Sequence, residues 1–228
     1  MSKKNDGLIQ DANVRLTTTK KYQAELGTAG ITAENIALFE IKIGEMRTQD
    51  TSFHEKKNLK SELTKGQDAQ IGTSKDIIKQ FRAAAQIAFY GDKTVLREFN
   101  IGQIMPRTVK KLATELPYLK EVAGRYAEAL KAGGITPADI AALETSVNAL
   151  LAIDAQQEDG KHAQKTQKSV ADAAAKVVRE MMFKINKAAS ICFMHDKPKL
   201  DEFKSIIPKK KAKPKTTNPT PPDVPPTQ

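Results

Sequence analysis

The stretch His54-Glu55-Lys56-Lys57-Asn58 begins like the H-E-x-x-H pattern, in which one helix face offers two imidazoles to zinc and a glutamate as base. Asn58 stands where the second imidazole is needed, so the zinc reading fails on ligand count. A di-iron centre inside a helical bundle needs inward glutamates and two Glu-x-x-His motifs. The three histidines His54, His162 and His195 instead follow Thr51, Asp159 and Cys192 at that spacing. Cys192 is the single cysteine, which rules out an intramolecular disulfide and any cysteine-based metal site within the chain. It falls one turn from Ala189 on an apolar face, and a small buried position accounts for it without a reactive thiolate. No phosphate-binding glycine loop and no G-x-S-x-G elbow occurs. The residues therefore assign no catalytic group, cofactor or metal, and the chain reads as a protein that is not an enzyme.

Two further pairs repeat in the sequence and could carry a role. Asp50 and Asp154 lie near the expected helix seam, as a functional carboxylate pair or, more plainly, as solvated residues of a wet seam. Tyr22 and Tyr126 sit at helical spacing, which suits core aromatics with the hydroxyl at the edge better than ligand contacts.

The formal charge of +10 points to a polyanion or an acidic surface as partner. From Pro208 onward, Lys209, Lys210, Lys211, Lys213 and Lys215 face only Asp223. Lysines spaced by alanine and proline can follow a phosphate backbone without reading bases, so these five are candidate nucleic-acid-binding residues. The segment contains no aromatic residue for stacking. The same lysines could hold an anionic membrane or serve only as a solubilising extension. The segment holds seven of the chain's 11 prolines and little apolar content, which predicts a disordered tail over 208–228.

The elements that must carry these residues are helical. Trp is absent and only 5% of residues are aromatic, while Ala, Lys, Gln and Glu abound. Sliding the chain along itself by 104 positions, without a gap, matches Gly30 with Gly134, Thr32 with Thr136, Ile36 with Ile140, Asp92 with Asp196 and Phe99 with Phe203. This predicts an internal duplication, with a first helical repeat over 7–103 and a second over 104–207. Each repeat is expected to open with a helix, over about 7–28 and 108–132, with Pro106 and Pro117 bracketing the passage between the copies. Gly30 and Gly134 suit the left-handed position that ends a helix. Thr32 and Thr136 then cap the next one. From there the apolar seam runs through Ile36, Phe39, Ile43 and Met46, and in the other copy through Ile140, Leu143, Val147 and Leu150. It fades in "TKGQDAQIG" and "DAQQEDGKHAQKTQKS", which predicts a turn near 56–66 and 160–170. Each repeat would then be a hairpin with arms of roughly 38 Å. Asp92 and Asp196 are expected to cap a short closing helix.

A glycine-broken opening helix, a long hairpin and a closing Asp-Lys-x-x-Leu-x-x-Phe resemble duplicated helical-bundle proteins of uncharacterised bacterial families. That resemblance implies a fold type over about residues 7–207 and no functional residue. The expected fold is all-α: two tandem, pseudo-symmetric three-helix units with a disordered tail. No stretch approaches the roughly 20 apolar residues of a membrane span, and the chain reads as cytoplasmic. The expected role is that of a non-catalytic structural or interaction protein, binding a protein partner or itself. Nucleic-acid association through the tail is the alternative.

Overall fold

The computed structural model describes residues 3–206, and these are all helix, turn and loop with no strand. The chain opens with α1 (Lys3–Lys21) and the short α2 (Gln23–Thr28). Tyr22 separates them at φ −111° and ψ 30°, so the opening helix is broken there, and Tyr126 breaks its counterpart in the same way. Gly30 then adopts φ 85°, which an L side chain resists, and Thr32 accepts from Asn35 N in a capping box.

From that cap α3 (Ala33–Ala88) runs for 56 residues without interruption. The short α4 (Lys93–Glu98) follows, its first N–H groups satisfied by Asp92. After the loop come α5 (Val109–Arg125), α6 (Ala127–Leu130) and a 3₁₀ turn over Lys131–Gly133. Pro117 lies inside α5 and does not bracket the passage between the copies. A second capping box, of Thr136 with Asp139, starts α7 (Pro137–Cys192), also 56 residues long, and α8 (Lys197–Asp201) closes the fold.

The expected turns near 56–66 and 160–170 do not form, because both segments are helical throughout. The glycines there serve packing instead. A Cβ on Gly160 would meet Leu63 Cδ1 at 2.8 Å, and one on Gly66 would touch Ile153 Cδ1 at 3.4 Å, so both mark a close approach of two helices. The long helices pair with each other in antiparallel sense. Ser74 meets Ser146, Thr64 meets Gln157, and Gln49 meets Gln167. At 1.5 Å per residue each helix spans about 84 Å.

Two separate cores sit at the ends of this pair. One joins Leu16 and Leu26 from the opening helices with Phe39 and Met46 of α3, Val178 and Ile185 of α7, and Phe203. The other joins Phe81 of α3, Phe99, Leu112 and Val122 of α5, and Leu143 and Leu150 of α7. Each core therefore draws on both the 7–103 and the 104–207 stretches. Between Asp50 and Ser74 α3 buries no residue, and that middle is a two-helix span of polar character.

Candidate functional site

Each end core is closed by an aromatic trio that joins distant parts of the chain. In the first, Tyr22 lies 5.2 Å from Phe193 and 6.0 Å from Phe203 between ring centroids, and its hydroxyl donates to Glu202 Oε1 at 2.8 Å. In the second, Tyr126 lies 5.1 Å from Phe89 and 6.0 Å from Phe99, and its hydroxyl donates to Glu98 Oε1 at 3.3 Å. A cation completes each set: Lys21 bonds Glu202 at 2.9 Å, and Arg125 reaches Glu98 at 3.0 Å. Hydrogen bonds from Lys21 and then Tyr22 hold the Glu202 carboxyl below the usual carboxylate range. For Tyr126, loss of hydration and the neighbouring Glu98 push the phenol up. Both tyrosine rings pack against an end core with the hydroxyl at its polar edge.

Beside the first trio lies a buried ion pair. Arg15 is 1% exposed, and its guanidinium stands 3.8 Å from Asp11 Oδ1 and 5.8 Å from the centre of the Phe203 ring. No guanidinium nitrogen finds a hydrogen-bond acceptor among the described residues. Burial pushes the Arg15 pKa down, and Asp11 offsets this only in part. Asp11 also accepts from Ser205 Oγ at 2.7 Å and from Ile206 N at 3.1 Å, which ties the end of the described chain to α1. Sequence reasoning missed this pair. The 104-residue offset held the signal, since it aligns Arg15 with Leu119, a core residue of α5.

The matched carboxylates part company. Asp50 is 1% exposed rather than solvated: Asn5 Nδ2 donates to its Oδ1 at 2.5 Å, and His54 Nε2 stands 3.7 Å from its Oδ2. The first residues of α1 cover it. Asp154 is half-buried and accepts from Gln67 of α3 at 2.6 Å. The difference follows from the covering residue, because the offset places Val109, which has no polar group to offer, opposite Asn5. Cys192 donates to Glu25 O at 3.2 Å and is half-buried on the first core. Among the described residues no cluster of three His, Cys, Asp or Glu side chains is placed to hold a metal. No described helix is long and apolar enough to cross a membrane. Lys209, Lys210, Lys211, Lys213 and Lys215 lie outside the described residues.

Several open grooves lie on the surface of the described residues, and two of them bear on binding. The first, of about 430 Å³, lies between α3 and α7 at the first core, and Leu38, Lys42, Val177, Met181 and Lys184 are among the residues lining it. Leu38 is 45% and Val177 37% exposed. Glu40, on another flank of α3, pairs with Lys20 of α1 at 2.7 Å, so α1 leaves this groove uncovered. The second groove, of about 900 Å³, runs from the loop after α4 along the start of α5. No family model matches this chain, and neither a curated protein nor a solved structure matches it.

Proposed function

We propose that the protein is a non-catalytic structural or interaction rod, made of two copies of one helical unit, whose first groove is its contact surface. The exposed pair Leu38 and Val177 beside Met181 carries this reading: an apolar trough between two adjacent antiparallel helices suits the apolar face of a third helix. The rim carries both signs, with Lys184 next to Glu180. A second copy meeting the groove about a two-fold axis would set Lys184 of one chain against Glu180 of the other. Sedimentation equilibrium tests it. The full chain should show a concentration-dependent dimer, and Leu38→Glu with Val177→Glu should leave a monomer of unchanged helicity. A wild-type chain that stays monomeric at the highest concentration removes the second copy as occupant.

The tail supports a second reading, nucleic-acid association through Lys209, Lys210, Lys211, Lys213 and Lys215. A chain ending at Ile207 should then lose most duplex DNA binding, together with a log–log salt slope of about −3 to −5.

A further inference from the structure

We propose that the second groove binds single-stranded nucleic acid, at a site separate from the tail and independent of it. Arg107, Lys110 and Lys111 line this groove, all three exposed, and none of them has an ion-pair partner among the described residues. Uncompensated positive charge gathered within five positions beside a concave surface is matched by a phosphate backbone.

The one carboxylate among the lining residues does not oppose such a ligand. Glu115 is held at 3.1 Å by Arg82 Nη2, and Asn100 Nδ2 donates to both its oxygens at 3.0 Å, so its charge is already matched within the protein. Asn100 takes the left-handed φ of 52°, and Arg82 Nη1 donates to the Gln103 carbonyl at 3.1 Å, which fixes the loop that forms the opposite wall.

The tail lacks an aromatic, whereas this groove supplies one. Tyr118 is 41% exposed and shares the groove with Lys111 and Thr114. Lys111, Thr114 and Tyr118 fall on one face of α5, and seven residues of helix set Tyr118 about 10 Å beyond Lys111. A strand whose phosphates sit on Arg107, Lys110 and Lys111 would bring a base over the Tyr118 ring. Stacking on an aromatic face discriminates single strands from duplex, in which the bases are already stacked.

The test uses the full-length chain with Lys209, Lys210, Lys211, Lys213 and Lys215 changed to Gln, which removes the tail's charge. Binding of a fluorescent oligothymidylate is followed by anisotropy across a salt series. The chain should bind; Tyr118→Ala should weaken binding roughly 5- to 150-fold, while Tyr118→Phe stays within about twofold. Changing Arg107, Lys110 and Lys111 together to Gln should flatten the log–log salt slope by about 2. All four side chains are exposed, and melting curves establish that the variants fold. The proposal is overturned if the tail-substituted chain does not bind oligothymidylate, or if Tyr118→Ala leaves its affinity unchanged. It is also overturned if the triple change weakens binding to duplex DNA or to phosphatidylserine vesicles as much as to the oligonucleotide, which would make the patch a general anion surface.

Discussion

Arg15 shows how one residue separates the two ends of the molecule. A guanidinium buried without a hydrogen-bond acceptor among the described residues is costly, and the carboxylate within 4 Å of it there is that of Asp11, at 3.8 Å. Removing Asp11 alone should therefore be severe, because it leaves the cation uncompensated and also releases Ser205 and Ile206. Asp11→Ala is expected to cost about 3–5 kcal/mol in urea unfolding. Replacing the pair together, with Arg15→Leu and Asp11→Asn, should cost far less than Asp11→Ala, because no buried charge is then left uncompensated and an amide oxygen still accepts from the end of the described chain. The sister core points the same way: Leu119 already stands at the equivalent position and is fully buried. A loss below about 1 kcal/mol for Asp11→Ala would show that Arg15 does not depend on that carboxylate.

The elements were legible at their ends and misread in their middles. Gly30, Gly134, Thr32, Thr136, Asp92 and Asp196 announce stops and starts through short-range chemistry, and each occupies the position that this chemistry predicts. The middle of α3 gives no such local signal. Its seam loses apolar residues where polar side chains such as Gln67 and Gln70 make the contacts with α7, and a fading seam beside glycine reads the same in sequence as a turn. What distinguishes the two is long-range: Gly66 lies against Ile153, and Gly160 against Leu63. The groove residues were illegible for a related reason, since Leu38 and Val177 come together only through the antiparallel pairing. Alanine scanning at glycine tests the continuous helix. Gly72 has nothing within 4 Å of a built Cβ, and neither Gly66 nor Gly72 has a positive φ. Gly66→Ala and Gly72→Ala should each stabilise by about 0.5–1 kcal/mol, because helix interiors favour alanine. Gly160→Ala should gain less, since Leu63 must turn away. A turn glycine in the left-handed region would give the opposite sign, so destabilisation at Gly66 would restore the hairpin.

At the scale of the whole molecule, the consequence is a rod with two hard ends and a soft centre. A compact chain of this size has a radius of gyration of about 16–17 Å. A rod as long as a 56-residue helix has about 24 Å, taking 1.5 Å per residue. Small-angle scattering should therefore return at least the larger value. Length alone does not describe the stability, which is unevenly spread. The end cores bury Phe39, Phe81, Leu116 and Val178, whereas residues 51–73 of α3 bury nothing and meet α7 through polar side chains such as Thr64, Gln67 and Gln70. Backbone hydrogen bonds in that span are protected by helix propensity and a single polar seam, so they open without disturbing either core. Native-state hydrogen exchange should show slow amides over 36–46, 78–85, 143–150 and 178–189. Residues 51–65 and 155–170 should exchange faster by orders of magnitude while remaining helical by circular dichroism. Uniform protection along α3 would mean that the centre is held by something stronger than the Gln67–Asp154 and Thr64–Gln157 contacts, and the two ends would then unfold as one unit. Faster exchange in the centre instead makes the span the joint about which the two end bundles shift, so substitutions in one core should leave the protection of the other unchanged.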